Sequence, residues 1–388
     1  MKILFIFTGG TIGSTEVCGV RSADAKGAYV ILERYRTRYG IDFEYETYEP
    51  YTELSENLGG EHISALVLAV RNGIASGYDG IIVTHGTDTV QYSAAALSYA
   101  LGLDTVPVCL VSANAPVESA ESNGLINLRC AVEFIRLRAG RGVFSVYANA
   151  EITDSEGSAP SGFAGDESGV LSAGANAEIN DSEVSAPSGF AGVASGCGGA
   201  FDDGGKCCVR YSEVLVHRGT RLMPPYAFSD KAESIFGEHY GVFDENLCFT
   251  KNKRYRESKD ETKPIYPTEL SEQSREILVL TPYVGMTYPS VDGVKYLILN
   301  TYHSGTLNIK SSAAREFFAE ARKRGISVFA VGTTEGLDYS TTAEYAALGI
   351  IPHRNISPIS AYMKLWLLTS SGRSTDEIAL SLGGDRVI

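Results

Sequence analysis

The chain contains no uncharged run of about 18 or more strongly apolar residues, so no helix-spanning membrane segment is expected. No secretory leader is expected either. Met1-Lys2 runs straight into Ile3-Leu4-Phe5-Ile6-Phe7, which is too short for a signal core and is followed by no small-residue cleavage site. The seven cysteines (Cys18, Cys109, Cys130, Cys197, Cys207, Cys208 and Cys248) are odd in number and scattered, which excludes a disulfide framework and favours a reducing cytoplasm. Cationic residues are in deficit. Lys and Arg total 33 against 47 Asp and Glu, a formal net charge of -14. That balance argues against a nucleic-acid or anionic-membrane surface, since both require clustered Lys and Arg.

What remains is an ordinary globular composition, with 44% hydrophobic and 21% charged residues over 388 positions, long enough for two sizeable cores. Lys2–Phe7, Gly80–Thr84, Pro107–Val111 and Gly142–Tyr147 read as short buried strands. Helix signals at Val90–Leu101, stopped by Gly102, and at Asn127–Arg138 fall between them. Strand alternating with helix implies a mainly parallel sheet with helices on both faces. A second, smaller α/β unit is expected from near Ser271, with strands at Glu276–Leu280, Lys295–Leu299 and Ile326–Val331. Its helices are expected at about Ser312–Arg324, Ser340–Leu348 and Pro358–Thr369. The expected organisation is an N-terminal domain over 1–250, a linker over 251–270 and a C-terminal domain over 271–388.

One segment breaks the pattern. ANAEITDSEGSAPSGFAG, from Ala148, begins again at Ala175 as ANAEINDSEVSAPSGFAG, a tandem repeat of period 27. Over 148–206 it is rich in Gly, Ser and Ala and nearly free of large apolar residues. Such a composition cannot bury enough surface to offset its ordering entropy, so a mobile surface insert is expected.

The chemistry concentrates in two loops. Thr8-Gly9-Gly10-Thr11 follows the first strand and His85-Gly86-Thr87-Asp88-Thr89 follows the second. Both sit at the carboxyl edge of the expected sheet, where ligands bind in open α/β folds and helix N-termini favour anions. Thr11 and Thr87 can converge there although far apart in the chain. A threonine hydroxyl needs a base to become a nucleophile, and Asp88 is the adjacent carboxylate, equally able to hold an ammonium group. A lone Thr-Gly-Gly after a strand is usually only a tight turn, whereas five polar or small residues after a buried strand demand a reason. A nucleotide-loop reading is weak, because Gly9-Gly10-Thr11-Ile12-Gly13 fits neither glycine-rich nucleotide pattern. His85 reads as structural packing beneath its motif. Cys197, Cys207, Cys208 and His217 fit no common zinc spacing. Tyr302-His303-Ser304-Gly305 reads as an interface element rather than a nucleophile and base, because adjacent residues rarely face each other.

Together Thr8–Ile12 (TGGTI) and Thr84–Thr89 (THGTDT) resemble the two signatures of the bacterial-type asparaginase/glutaminase family, closest to its cytoplasmic members. Leu54-Ser55-Glu56-Asn57 and Val111-Ser112-Ala113 are weaker echoes of substrate-facing loops. The resemblance implies an amidohydrolase that converts L-asparagine to L-aspartate and ammonia through a threonine acyl-enzyme. It implies Thr11 as nucleophile, with Thr87 and Asp88 in proton transfer and substrate gripping. Ser55 and Glu56 would bind the α-carboxylate and α-ammonium ends, and the loops at Gly86 and Ala113 would steady the oxyanion. It implies no metal or organic cofactor, an amino-acid amide as the small-molecule partner, and a homodimer or homotetramer.

Two family features have no counterpart. Glu16–Lys26 contains no lid tyrosine, the nearest being Tyr29 in what looks like the start of a helix. Val214–Phe228 contains no lysine, leaving Arg218 and Arg221, with Lys231 a little beyond. An arginine cannot act as a proton-accepting base. Three readings follow: a substitute cation, low activity, or a non-catalytic amino-acid-binding or sensing module. Within enzymes the alternatives are glutamine, or the tRNA-linked glutamine system, against which the acidic balance speaks.

Overall fold

The computed structural model describes residues 1–10, 12, 14–17, 20–23, 25–149, 211, 213–227, 229–267, 269–336 and 339–387. The repeated segment from residue 150 to 210 lies outside them, so the expected mobile insert falls outside the described residues.

Among the described residues the strands run β1 (Lys2–Phe7), β2 (Ser14–Val17), β3 (Val20–Ala23), β4 (Glu44–Tyr48), β5 (Gly80–Thr84), β6 (Val108–Val111) and β7 (Val143–Tyr147). They continue with β8 (Glu213–Arg218), β9 (Gly241–Asp244), β10 (Phe249–Lys251), β11 (Ile277–Leu280), β12 (Tyr296–Asn300), β13 (Ser327–Thr333) and β14 (Ile350–Arg354). The α-helices are α1 (Ala25–Tyr39), α2 (Gly60–Ala75), α3 (Val90–Leu101), α4 (Gly124–Arg136), α5 (Ser312–Lys323), α6 (Tyr345–Leu348) and α7 (Pro358–Ser370).

The large sheet has the order β10-β9-β8-β7-β6-β5-β1-β4. Its β4, β1, β5, β6 and β7 are mutually parallel, and β8 to β10 return antiparallel. Strands β5, β6 and β7 are buried at every residue, as expected of parallel strands covered on both sides. One face packs Leu4, Ile6, Ile81 and Val83 against α2 and α3. The other packs Phe5, Phe7, Ile82 and Val111 against Ile31 and Tyr35 of α1 and Leu128 and Phe134 of α4. The mainly parallel sheet with helices on both faces is therefore present.

The smaller sheet, β11-β12-β13-β14, is parallel throughout. Its Leu297, Leu299 and Val328 pack on Phe317 and Phe318 of α5, while Ile298, Phe329 and Val331 belong to the core that also contains α7 and α3. Helix α7 is thus shared between the two sheets. That sharing explains its apolar circumference, with Ile359, Met363, Leu365, Leu367 and Leu368 all buried. At the same interface Ser357 Oγ donates to Leu222 O at 2.5 Å, and Thr220 Oγ1 donates to Gly383 O at 2.9 Å.

The strand and helix bounds expected from sequence are met within a few residues except over 340–348. There the structure has a 3-10 turn, Thr342–Glu344, then the single-turn α6. Gly349, in the left-handed region at φ 75°, ends it. Among the described residues no helix is long and apolar enough to cross a membrane.

Candidate functional site

The carboxyl ends of β1, β5, β6 and β7 lie side by side, and four loops leave from that edge. The first, Thr8-Gly9-Gly10, is held to its support by Thr8 Oγ1, which donates to Thr84 O at 2.7 Å. It also pairs with Glu53, just ahead of the Ser55 turn, because Glu53 N donates to Thr8 O at 3.1 Å and Gly10 N donates to Glu53 O at 3.0 Å. Gly9 and Gly10 both have positive φ, 94° and 76°, a region open to glycine and strained for other residues. Thr11, the expected nucleophile, lies outside the described residues, while Gly10 before it and Ile12 after it are described.

The second loop begins at His85, which is wholly buried. Its Nδ1 donates to Gly86 O at 2.8 Å, and its Nε2 is 2.7 Å from Ser93 Oγ, from which it accepts when the buried ring is neutral. Burial pushes its pKa down to about 4. His85 fixes the turn from beneath rather than presenting a base. Thr87 then places Oγ1 3.3 Å from Ala113 O, to which it donates. Asp88 is exposed, accepts from Ser55 Oγ at 3.5 Å through Oδ2, and stands one residue before Thr89, the N-cap of α3. Thr89 Oγ1 donates to Ser55 O at 2.8 Å, locking the Ser55 turn to the loop.

Ser55 is buried and Glu56 exposed on the 3-10 turn Ser55–Asn57. Gly86 lies between Ser55 and Gly10: a methyl group on Gly86 would come within 2.5 Å of Ser55 Oγ and 3.3 Å of Gly10 Cα. The structure thus brings Ser55, Gly86, Thr87, Asp88 and Ala113 together with the Gly10 end of the first loop.

Residues not singled out in the sequence hold the Ala113 loop. Asn114 N donates to Asn123 Oδ1 and Asn123 N donates to Asn114 Oδ1, each at 3.0 Å. Asn123 Nδ2 also donates to Ala148 O, and Asn127 joins Ser112 O to Ala148 N. The loop after β6 is in this way stitched to the end of β7. Asn114 and Asn149 just past strand ends, with Asn123 and Asn127 at the start of α4, were the available signal, since Asn side chains readily satisfy turn backbone.

The candidate cations are distributed unequally. Arg218 donates to Arg141 O at 2.7 Å and Tyr255 Oη at 3.2 Å, with its guanidinium 4.1 Å from the Phe144 ring centre. Arg221 is wholly buried and donates to Gly384 O, Arg256 O and Arg386 O. Both are committed to holding the fold. Lys231 is exposed on a segment joined to the end of β7, where Ala232 N donates to Asn149 Oδ1 at 2.8 Å. Tyr29 lies in the first turns of α1, its ring 5.2 Å from that of Phe7 at the base of the first threonine loop. The stretch before it forms a two-stranded antiparallel ribbon, β2 with β3.

His217 pairs Nδ1 with Ser234 Oγ at 2.7 Å, and Cys197, Cys207 and Cys208 lie outside the described residues. Among the described residues no three His, Cys, Asp or Glu side chains are grouped to hold a metal ion. His303 is exposed and Ser304 Oγ hydrogen-bonds Thr306 Oγ1 at 2.9 Å, beyond the end of β12 in the small unit.

This eight-stranded, mainly parallel sheet with a small parallel unit packed beside it has the fold of solved L-asparaginases. The thermostable L-asparaginase from Thermococcus kodakarensis superposes with a TM-score of 0.68 at 19% identity, covering 100% of both chains. L-asparaginase I from Vibrio cholerae superposes at 0.62 and 18% identity, covering 100% of this chain and 99% of that one. In sequence, residues 2–161 match the family described as Asparaginase, N-terminal. The Thermococcus kodakarensis L-asparaginase is 33% identical over 137 residues, which is 35% of this chain and 41% of that protein. A glutamyl-tRNA(Gln) amidotransferase component from Haloquadratum walsbyi is 46% identical over 81 residues, 21% of this chain and 18% of that protein. The matched stretches span less than half the length of these curated relatives.

Proposed function

We propose that this protein is an L-asparaginase-like amidohydrolase that cleaves L-asparagine to L-aspartate and ammonia. The observation that carries the proposal is the meeting of the Thr8–Gly10 loop, the Ser55 turn and the Gly86–Asp88 loop at one carboxyl edge, with Thr87 Oγ1 and Ser55 Oγ hydrogen-bonded to Ala113 O and Asp88. In this reading Thr11 Oγ1 attacks the side-chain amide carbon and ammonia leaves from the tetrahedral intermediate. Water then hydrolyses the resulting ester, and proton transfer involves Thr87. Asp88 holds the substrate ammonium, which its exposed carboxylate suits. Ser55 and Glu56 bind the remaining head group. Backbone N–H groups of the Gly86 and Ala113 loops stabilise the oxyanion, the kind of preorganised contribution that is usually largest in acyl transfer. The reading takes the protein as cytoplasmic and as a homodimer or homotetramer, and it needs no metal or organic cofactor.

Ammonia release from L-asparagine and L-glutamine by the wild type, Thr11→Ala and Thr87→Ala tests it. Each substitution should lower the rate at least about 100-fold. Activity that survives Thr11→Ala overturns the nucleophile assignment. Calorimetric binding of L-aspartate without any ammonia release would favour an amino-acid-binding module instead.

A second reading draws on the similarity to proteins named as components of glutamyl-tRNA(Gln) amidotransferase. In it the same site supplies ammonia to a partner that handles the tRNA. The net charge of -14 speaks against direct RNA contact by this chain.

A further inference from the structure

We propose that Glu53 is the positioning residue that sets the Ser55 turn against the first threonine loop. The inference rests on the amidohydrolase reading of that site and assigns a role to a residue outside both signatures. Glu53 works in two directions. Its backbone clasps the first loop, with N bonded to Thr8 O and O bonded to Gly10 N, in a parallel bridge to Gly9. So close is the approach that a methyl group on Gly9 would lie 2.7 Å from Glu53 N. Its side chain turns the other way: Oε1 accepts from Leu54 N and from Asn57 Nδ2, each at 3.0 Å. Those two bonds close the turn that carries Ser55 and Glu56. The far side of the turn is tied to the second loop by the Thr89 bond to Ser55 O. Glu53 therefore joins the first loop to the Ser55 turn.

The chemistry favours a carboxylate. A single oxygen receiving two N–H donors gains from negative charge, and charge-assisted bonds are about twice as strong as neutral ones. The Asn57 hydrogen bond, with help from Leu54 N, holds the Glu53 carboxyl below its ordinary range. Truncating the side chain leaves the backbone clasp on Thr8 and Gly10 intact and frees only the turn. Loss should therefore fall on binding through Ser55 and Glu56 rather than on attack by the first loop.

The test is steady-state ammonia release from L-asparagine by Glu53→Ala and Glu53→Gln in the full chain. Glu53→Ala should raise KM about tenfold with kcat within about threefold, as loss of charged hydrogen bonds predicts. Glu53→Gln keeps an acceptor oxygen and should stay within about threefold of wild type in both constants. An unchanged KM in Glu53→Ala, a loss confined to kcat, or a Glu53→Gln as impaired as Glu53→Ala would each overturn the proposal. If Glu53→Ala does not fold, Asn57→Ala removes one of the two bonds and should raise KM by a smaller factor; no rise overturns it. Should the wild type release no ammonia, the amidohydrolase reading falls, and amide hydrogen exchange of the free protein still decides the role of Glu53. Glu53→Ala should then speed exchange at Leu54 at least about tenfold while Gly10 keeps its protection; equal Leu54 rates refute it.

Discussion

Gly10 and Gly86 meet backbone to backbone where the two threonine-bearing loops converge, with no room for a side chain on either. A methyl group on Gly10 would overlap the Gly86 amide and lie 3.0 Å from the His85 carbonyl carbon, and Gly10 itself has φ 76°. On the other side of Gly86 sits Ser55. The glycines of the two signatures are therefore needed for close approach as much as for turning. Residues far apart in sequence are held in one constellation by the absence of two Cβ atoms.

Gly10→Ala should destabilise the protein by about 2–4 kcal/mol, combining overpacking with the cost of a left-handed non-glycine residue. Gly86→Ala carries the overpacking alone, about 1–3 kcal/mol. Urea unfolding midpoints measure both. In each variant ammonia release should fall at least about 100-fold, because a displacement of about one ångström at a reacting centre has that effect. A Gly10→Ala protein with the wild-type midpoint and rate would mean that the loops do not touch.

The join between the two sheets makes a second expectation. Lys364 on α7 and Asp385 near the C-terminal end are both wholly buried, 2.7 Å apart, and Asp385 also accepts from Tyr99 Oη at 3.1 Å and Leu382 N at 3.1 Å. Removing the cation alone leaves a buried, uncompensated carboxylate. Lys364→Met should cost about 3–5 kcal/mol, and Lys364→Met with Asp385→Asn should recover a large part of that. Thermal unfolding of the two variants measures the difference. A double variant no better than the single one would show that the pair is held by packing rather than by charge.

Much of this was legible in the sequence, for identifiable reasons. The wholly buried strands β5, β6 and β7 announce themselves as continuous apolar runs, and α3 by its alanines and Gly102. Strand β4 does not, because Glu44-Tyr45-Glu46-Thr47-Tyr48 alternates half-buried and exposed at the edge of the sheet and carries two acids. Helix α1 hides among arginines. Within the candidate site, Thr87, Asp88 and Ser55 could be read from motifs, whereas Glu53 and Asn123 lie outside the signatures and bond mainly to backbone groups of their neighbours. Arg218 and Arg221 looked like spare cations and are instead anchors for Phe144 and the C-terminal residues, a distinction that only packing reveals.

Asn123 illustrates the consequence. It is wholly buried and holds Asn114 N and Ala148 O through one amide group. Asn123→Ala strands the buried Ala148 carbonyl at about 1–3 kcal/mol and frees the part-buried Asn114 N–H as well. The Ala113 loop, which accepts from Thr87, should loosen with it. Hydrogen exchange should rise at Asn114, and KM for the amide should rise together with a lower kcat, since the proposed mechanism gives the Ala113 loop a part in stabilising the oxyanion. A variant that loses stability but keeps both constants would separate the asparagine clasp from the site.

The buried histidines set the acid limb of stability. Burial pushes His85 down to about 4, while burial with the nearby His239 takes His217 to about 3. Burial, then the Arg386 and Lys364 charges, brings His353 to about 3. Above about pH 6.5 both folded and unfolded states hold these rings neutral, and they contribute nothing to pH dependence. Below it the unfolded chain binds protons that the folded chain refuses, so stability falls as pH falls, by about 1.4 kcal/mol per histidine per pH unit. The slope persists until the folded values near 3 to 4 are reached. Carboxylates such as Glu53, Glu320 and Glu377, held below their ordinary range, add to the loss only at the acid end of that window. Unfolding free energies measured in urea between about pH 6.5 and 4.5 should therefore drop steeply. His217→Gln, away from the candidate site, should reduce that slope by about one third. A flat profile across the window would mean that these rings are protonated in the folded state and that their burial is not as described.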